Sequence, residues 1–385
     1  MSSAEFDQGT ATWGMSSALA DVPAAVNQRV SEYFAASSSE FSAIGPEFAD
    51  AIEALRAFTV QGGKRVRPMF AWAGVRAGLE SGRGSIEVPF PDANSDPSVL
   101  LTAISAIEFI QACALIHDDI IDQSDTRRGN PTTHRRFESQ HRSSNWAGSS
   151  EHYGVSQAIL TGDLALAWAD DMLVASGLSP QSLAAIRPAW RAMRTEVIAG
   201  QILDVAMEAN GSESVDDSLK IIEYKTASYT VSRPLHIGAA MVGADPELVD
   251  TLRSIGQDIG EAFQLRDDQL GVFGDPSVTG KPSGDDLRTG KRTALINLAL
   301  QAGDRGEGAG VGVEKLRDGL GTASTEEEVD ALREVIEATG AAETVERWIT
   351  QRSQRAIETI TSAQLGAQIT DELVEMTVAL SDRKF

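Results

Sequence analysis

An apolar run that ends in acid is the feature that most limits how this chain can fold. From Val99 to Ile116 almost every residue is apolar, and the run passes directly into the segment HDDIID at 117–122. The run is shorter than the roughly 20 residues needed to cross a bilayer, and it is longer than a typical buried strand. It therefore predicts a helix at the centre of a helical bundle, with carboxylates at its C-terminal end.

The rest of the chain shows helical rather than strand periodicity. Apolar residues between Phe48 and Phe58 recur three and four positions apart, which predicts a helix with one buried face. No segment alternates apolar and polar residues as a half-buried strand does. Further helices are predicted at 155–176, 181–209, 217–231, 235–242, 246–272, 287–303, 325–339, 341–363 and 366–381, with connections at 81–98, 142–154 and 303–312.

These patterns predict an all-α fold in one domain over residues 25–385, built around long packed helices. The chain has 385 residues, 42% of them hydrophobic, which is enough to bury a substantial core. The Ser/Ala-rich segment 1–24 is predicted to be flexible, with ordered structure from near Val26.

The net charge and the cysteine content indicate which partners and which cellular compartment to expect. The formal net charge of −23 repels polyanions, which argues against nucleic acid as a partner. One cysteine, Cys113, excludes an intramolecular disulfide framework and suits a reducing compartment. The N-terminus lacks the positive start and apolar stretch of a signal peptide, and no membrane span is expected. We therefore expect a cytoplasmic protein in which local cation clusters or bound metals offset the negative field wherever an anion binds.

Two acidic motifs are candidates for a metal site. Asp118 and Asp122 lie on one face of a helix, whereas Asp119 is turned about 100° away. Carboxylates on one face repel each other, and a divalent cation offsets that cost. Mg²⁺ prefers oxygen ligands and commonly binds one or two carboxylates together with water and substrate phosphates. The second motif, Asp267-Asp268, ends another helix, and the alternative for both motifs is a solvated acidic helix end.

Two basic motifs are candidates for phosphate binding. In GGKRVRP at 62–68, glycines let the backbone approach a ligand, and the following helix start offers free N–H groups to an anion. Lys64 supplies a point charge and Arg67 a forked donor. The Gly spacing and GK[ST] ending of a Walker A loop are absent. Arg127 and Arg128 either pair with Asp125 or hold two different phosphate groups; a basic turn remains the alternative for GGKRVRP.

The order of these motifs resembles the trans-type prenyl diphosphate synthase family. The resemblance rests on GGKRVRP, then DDIID followed by DTRRG, then FQLRDD followed by FGD, and it covers roughly residues 45–300. The segment 273–293, FGDPSVTGKPSGDDLRTGKRT, is similar to actinobacterial geranylgeranyl-type synthases. The resemblance implies an isoprenoid-synthase-type helical bundle around a central cavity, a homodimer, and three Mg²⁺ ions. The implied reaction joins isopentenyl diphosphate to dimethylallyl, geranyl or farnesyl diphosphate.

The resemblance also implies roles for individual residues. The metal ligands would be Asp118, Asp122 and Asp267. The isopentenyl diphosphate would be bound by Lys64, Arg67, Gln111 and Arg128. The allylic diphosphate would be bound by Arg127, Lys225, Thr226, Gln264, Lys281 and Lys291, with Gln201 and Asp204 nearby. Of these, Asp118, Asp122, Arg127, Lys225 and Asp267 would carry the catalysis, as electrostatic support for the leaving diphosphate.

Product length should depend on the residues that close the apolar pocket before the first motif. Short-chain farnesyl-type relatives have bulky aromatics at the fourth or fifth position before that motif, where this chain has Ala114 and Cys113. With Ile110 one turn deeper, these small residues leave room for a C20 chain, so geranylgeranyl diphosphate is the expected product. Phe109 is a further candidate for the end of the pocket.

One position departs from the family pattern. Gly271 replaces the third Asp that many relatives have in the second motif, which should weaken the water-mediated part of the metal shell.

A terpene cyclase would not need GGKRVRP, since it binds no second diphosphate. A silent subunit would not need the complete DDIID, and a helical scaffold would need none of the motifs. A farnesyl or longer-chain synthase stays open as an alternative.

Overall fold

The computed structural model describes residues 13–85, 96–274, 284–304 and 312–382, and it is helical almost throughout. In the N-terminal half the helices are α1 (Val22–Glu40), α2 (Pro46–Val60), α3 (Val66–Glu80), α4 (Pro97–Ser105), α5 (Ile107–Ile121), α6 (Thr133–Ser143), α7 (Ser150–Val174) and α8 (Pro180–Asn210). Two 3₁₀ turns, Leu19–Asp21 and Ser42–Ile44, flank α1. The described strands are β1 (Thr126–Arg127) and β2 (Asn130–Pro131), a two-residue antiparallel ladder.

The C-terminal half continues with α9 (Val215–Ile221), a π-helix over Ile222–Ser232, α10 (Arg233–Met241), α11 (Pro246–Phe273), α12 (Asp285–Thr289), α13 (Ala294–Asp304), α14 (Val313–Gly319), α15 (Glu326–Ala338), α16 (Ala341–Ser362) and α17 (Ala367–Ser381). Side chains cap several of these helices; Asp245, for example, accepts a hydrogen bond from the Leu248 N–H at the start of α11. The predicted all-α class is confirmed.

Helix α5 lies in the centre of the largest hydrophobic cluster, as its apolar sequence predicts. Ile107, Phe109 and Ile116 are fully buried, and α5 packs along α7. The segment 97–121 is long and apolar enough to cross a membrane, by length and composition alone. The predicted apolar run, which ended at Ile116, was therefore too short. Within the structure, 67% of its most apolar window is buried, as in a core helix of a helical bundle.

Several predicted boundaries were wrong. The first helix begins at Val22 rather than near Val26, and Leu19 is only 3% exposed because it packs with α1 in the core. Trp13 also packs on Trp72, with ring centroids 4.6 Å apart, so the described part of the predicted flexible segment is packed. The predicted loop 142–154 is shorter, since α6 continues to Ser143 and α7 begins at Ser150.

Two predicted helices have a different internal structure. The segment 217–231 contains the change from α9 to the π-helix, and 287–303 is divided into α12 and α13. A second hydrophobic cluster forms where α13 to α16 pack against α11, and it includes Leu265, Leu295 and Ile336. Helix α14 was not predicted, because it is short and follows the Gly-rich connection.

The π-helix is packed closely between α8 and α11. A Cβ on Gly200 of α8 would lie 2.5 Å from the backbone nitrogen of Lys225, and a Cβ on Gly260 of α11 would lie 2.8 Å from the Ala227 Cβ. Only glycine allows backbones to approach this closely. These contacts fix the position of the π-helix, which carries Lys225 and Thr226. π-helices are frequent at functional sites.

Candidate active site

The first acidic motif lies at the C-terminal end of α5, with its aspartates oriented as helix geometry predicts. Lys225 Nζ is 3.3 Å from Asp118 Oδ1, and Lys291 Nζ is 3.4 Å from Asp122 Oδ2. Asp119 is fully buried on another face, where its Oδ1 accepts from Arg127 Nε at 2.6 Å. Burial raises the pKa of Asp119 to about 6. Asp118 and Asp122 therefore face the cations, while Asp119 anchors Arg127.

The two acidic motifs line one cavity of about 640 Å³. Asp118 lines it from the end of α5, and Asp267 and Asp268 line it from the end of α11. Asp268 is buried and accepts from Gln264 Nε2 at 2.9 Å, and burial raises the pKa of Asp268 to about 7. The other polar residues that line this cavity include Lys64, Asp204, Lys225, Thr226, Gln264, Asp285, Asp286 and Lys291.

The cations beside Asp118 hold its carboxylate in the ionised form. Burial opposes ionisation of Asp118, but Lys225, Lys291 and Arg127 outweigh it and lower its pKa. Burial likewise opposes the charge on Lys225, and Asp118 and Asp204 reverse that effect and raise its pKa. Lys225 Nζ is 2.5 Å from Asp204 Oδ2, so Asp204, expected near the site, contacts one of its lysines. Lys225 is therefore a charged donor, and Asp118 is a charged acceptor.

Thr226 and Gln264 are joined in the same polar network. Thr226 Oγ1 donates to Gln264 Oε1 at 2.8 Å, so the amide of Gln264 links Thr226 to Asp268. Gln201, which was also expected near the site, is not among the residues that line the cavity. Lys281 lies outside the described residues.

The GGKRVRP segment is held in place by Arg65. Its side chain is 4% exposed; Nε donates to Asn27 Oδ1 at 2.8 Å, NH2 donates to the Thr59 carbonyl at 2.6 Å, and NH1 pairs with Glu108. Gly63 has a φ of +98°, a conformation that favours glycine, and a Cβ there would lie 3.1 Å from Arg128 NH2. Arg65 therefore supports the loop, and the loop backbone lies against Arg128.

Arg67 is fixed beside a tyrosine that sequence reasoning did not select. Its guanidinium lies 4.1 Å from the ring centroid of Tyr229, and NH2 donates to Thr230 Oγ1 at 2.9 Å. The Tyr229 hydroxyl donates to Gln111 Oε1 at 2.6 Å, which joins two of the predicted residues. Arg67 Nε is buried without a hydrogen-bond partner in the described structure. The signal for Tyr229 was its position four residues after Lys225.

Arg127 and Arg128 follow one another on the turn of the two-residue ladder but differ in their contacts. Arg127 pairs with Asp119 and, at 3.4 Å, with Asp118. Arg128 NH1 donates to the Gln61 carbonyl at 3.4 Å, and burial together with nearby arginines, Arg65 foremost, lowers its pKa. The alternative in which both arginines pair with Asp125 is wrong, since Asp125 pairs with Arg135 at 2.8 Å.

The predicted chain-length residues lie in the buried part of α5. Ile110 and Cys113 are 2% and 7% exposed, and Ala114 is half-buried. Phe109 points away from α5 into an aromatic cluster, with ring centroids 5.3 Å from Tyr33 and from Phe34 and 6.1 Å from Trp168. The 640 Å³ cavity reaches α5 at Leu115, and the predicted chain-length residues do not line it.

The donor set of the cavity fits a hard divalent cation that binds together with a phosphate ligand. Its carboxylate oxygens are the ligands Mg²⁺ prefers, yet among the described residues no three His, Cys, Asp or Glu side chains form a ready-made metal cage. Mg²⁺ is typically held by one or two carboxylates, with substrate phosphates and water completing its shell. The facing aspartates and the neighbouring lysines suit that mode of binding.

Several known proteins are similar to this chain in sequence or in fold. A geranylgeranyl pyrophosphate synthase from Corynebacterium glutamicum, complexed with isoprenyl diphosphate and magnesium, has 45% sequence identity and a TM-score of 0.87, covering 95% of this chain and 99% of that one. A geranylfarnesyl diphosphate synthase from Aeropyrum pernix is 32% identical over 307 residues, 76% of this chain and 82% of that protein. A (2E,6E)-farnesyl diphosphate synthase from Mycobacterium bovis is 30% identical over 296 residues, 77% and 71% of the two chains.

The family model for polyprenyl synthetase matches residues 50–337. That range includes both acidic motifs, both basic motifs and the π-helix. The chain therefore belongs to the polyprenyl synthetase family.

Proposed function

We propose that this protein elongates an allylic diphosphate with isopentenyl diphosphate and that its main product is geranylgeranyl diphosphate. The observation that carries the proposal is one cavity lined by both acidic helix ends and by Lys64, Lys225 and Lys291. Such a cavity offers metal ligands and phosphate ligands side by side. The Corynebacterium structure complexed with isoprenyl diphosphate and magnesium supports the same ligand classes.

Two groups of cations would bind the two diphosphates. Lys225, Lys291 and Arg127, with Thr226 and Gln264, surround the acidic motifs and would hold the allylic diphosphate, with Lys281 from the segment 273–293. The second group consists of Lys64, Arg67 and Arg128, and together with the neutral amide of Gln111 it would hold the isopentenyl diphosphate. Arg67 Nε is buried and has no hydrogen-bond partner in the described structure, which leaves one donor for such an anion.

Asp118, Asp122 and Asp267 would bind Mg²⁺. The resemblance to the family implies three such ions. When bound, Mg²⁺ neutralises charge on the allylic diphosphate and makes it a better leaving group. Lys225 and Arg127 now pair with aspartates of the first motif. In their present positions these cations lower the pKa of Asp118. On substrate binding they would turn to phosphate oxygens.

The reaction then needs electrostatic support and alignment rather than a protein nucleophile. The allylic C–O bond breaks, and Lys225, Lys291 and Arg127 stabilise the charge on the departing diphosphate. Lys64, Arg67 and Arg128 fix the isopentenyl diphosphate so that its double bond attacks the allylic carbon. A proton is then lost from the isopentenyl unit, and by resemblance to the family the departing diphosphate would accept it.

Product length follows from small side chains next to the first motif. Ala114 and Cys113 stand four and five residues before Asp118. They do not line the 640 Å³ cavity, but their small side chains would leave space along α5 where an aromatic residue would close the pocket. This supports a C20 product. The related proteins are named farnesyl, geranylgeranyl and geranylfarnesyl synthases, so a C15 or C25 product is the alternative.

We also propose a cytoplasmic homodimer. Ile198, Ile202 and Val205 form an exposed apolar stripe on α8, with exposed fractions of 52%, 63% and 41%, and Leu160 of α7 is 61% exposed. Apolar patches of this kind mark interfaces, and a two-fold axis would bury the stripe against its own copy. Sedimentation should show a dimer that Ile202→Glu dissociates and Val174→Glu, a control at the far end of α7, does not.

The function is tested by incorporation of labelled isopentenyl diphosphate with Mg²⁺ or with EDTA. We expect Mg²⁺-dependent incorporation that falls by at least about 100-fold in Asp118→Asn. Asp371→Asn on α17 removes the same charge outside the cavity and serves as the control. Absence of incorporation with any allylic primer would instead favour a non-catalytic subunit that modulates an active synthase.

A further inference from the structure

Arg65, in the middle of the GGKRVRP segment, adopts a backbone conformation that is unusual for a residue with a side chain. Its φ is +52° and its ψ is +34°, in the left-handed region that favours glycine. A residue other than glycine keeps such a conformation only where the surrounding structure holds it. The turn lies between Lys64, which lines the 640 Å³ cavity, and Arg67, which stacks on Tyr229.

Buried contacts from three helices hold Arg65 in this conformation. Asn27 of α1 accepts from Nε at 2.8 Å and from NH2 at 2.5 Å. At the C-terminal end of α2, NH2 also donates to the carbonyls of Thr59 at 2.6 Å and Val60 at 3.3 Å, which have no further helical turn to bond them. Glu108 of α5 is 4% exposed and pairs with NH1. Its carboxylate supplies the negative charge that a buried guanidinium needs.

The guanidinium of Arg65 also lies beside the loop backbone and near a second arginine. A Cβ on Gly63 would lie 3.4 Å from Arg65 NH1 and 3.1 Å from Arg128 NH2, so both guanidiniums lie beside this glycine. Burial and then Arg65 lower the pKa of Arg128, whereas Glu108 raises it. Glu108 therefore offsets part of the repulsion between two neighbouring cations, of which Arg65 is buried and Arg128 is exposed.

We propose that Glu108 and Arg65 are positioning residues for the isopentenyl diphosphate, acting through the loop that carries Lys64. This inference rests on the proposed function, in which Lys64 and Arg128 bind that diphosphate. Glu108 and Arg65 are each 4% exposed and do not line the cavity, so they would act without touching the substrate.

The effect should be confined to one of the two substrates. Lys225 and Lys291, which would hold the allylic diphosphate, belong to the π-helix and to the segment after α12. The contacts of Arg65 described above come instead from α1, α2 and α5. Loss of these contacts should therefore disturb the isopentenyl side and leave the allylic side in place.

The test is steady-state kinetics in which both substrates are varied. Glu108→Gln keeps the size of the side chain but removes the carboxylate, and Arg65→Lys keeps the charge but loses the forked donor. We expect each variant to raise the KM for isopentenyl diphosphate by about 10- to 100-fold, as for a group misplaced by about 1 Å, with the KM for the allylic primer near its wild-type value. The double variant should be no worse than the more impaired single variant, because Glu108 acts through Arg65.

A buried arginine elsewhere in α3 provides the control. Arg76 is 1% exposed, pairs with Glu80 at 2.7 Å and with Glu372 at 2.6 Å, and does not line the cavity. Arg76→Lys should lower the free energy of unfolding in urea and leave both KM values unchanged. Should Glu108→Gln fail to fold, Asn27→Ala tests the same effect, because it removes two contacts of Arg65 and should raise only the KM for isopentenyl diphosphate, by a smaller factor.

The outcomes separate this inference from the proposed function. An active wild type with an unchanged KM for isopentenyl diphosphate in folded Glu108→Gln or Asn27→Ala would overturn the positioning role. An equal rise in the KM for both substrates, or the same selective rise in Arg76→Lys, would also overturn it, because either result would reflect general destabilisation. A wild-type chain that incorporates no isopentenyl diphosphate with any primer would overturn the proposed function itself.

Discussion

Replacing Gly200 by alanine should displace Lys225 and slow catalysis. A Cβ at position 200 would lie 2.5 Å from the Lys225 nitrogen and 2.7 Å from its Cα, whereas ordinary contact begins at 3.4 Å. The backbones must therefore separate by about 0.9 Å, the difference between 3.4 and 2.5 Å. A misplacement of about 1 Å at a catalytic group can lower the rate by about 100-fold. Overpacking of this kind also destabilises a fold by about 1–3 kcal/mol.

The assay compares kcat and the free energy of unfolding in urea for Gly200→Ala and a matched control. Gly154 lies in α7, where a Cβ would be 3.0 Å from the Glu138 nitrogen and closer to the His134 carbonyl, away from the cavity. Gly154→Ala should lose similar stability but keep its kcat. Unchanged kcat in Gly200→Ala, or an equal loss of kcat in Gly154→Ala, would refute the positioning of Lys225 by this contact.

Three further predictions concern product length, substrate binding and pH. Cys113→Phe and Ala114→Tyr should each shorten the product, and an unchanged product in either variant would count against the pocket. Arg67→Lys loses the forked donor and the stacking on Tyr229 and should raise the KM for isopentenyl diphosphate about tenfold, equivalent to about 1.4 kcal/mol, with little change for the allylic primer. Burial and then Arg233 lower the pKa of His236 to about 4, so the unfolded state binds more protons below its ordinary value. Stability should therefore fall as pH drops from about 6.5 to about 4, and His236→Gln should flatten that part of the urea-unfolding profile.

Periodicity and residue spacing were sufficient to predict the helical class and to select several of the residues that line the cavity. The four-residue spacing of Asp118 and Asp122 fixes their common face wherever the helix lies, so helix geometry alone separates them from Asp119. Lys225 could be selected from its motif, but the π-helix that carries it could not be predicted. That helix depends on close packing by Gly200 and Gly260, residues remote in sequence.

Contacts between distant segments account for the rest of what the sequence did not reveal. Tyr229 gains its importance from Arg67 and Gln111, which lie more than a hundred positions away. Phe109 appeared to be a possible end of the pocket, and only the packing of α1 and α7 shows that it belongs to an aromatic cluster. In each case local pattern identifies the residue type, and tertiary packing decides its neighbours.

The most direct test of the account is to size the product made from isopentenyl diphosphate and each of dimethylallyl, geranyl and farnesyl diphosphate. After dephosphorylation, the account predicts a C20 alcohol from every primer that the enzyme accepts, formed with Mg²⁺ and not with EDTA. A product that stops at C15, or one that extends well beyond C20, would contradict the small-residue pocket formed by Cys113 and Ala114. Absence of any elongated product would contradict the proposed function.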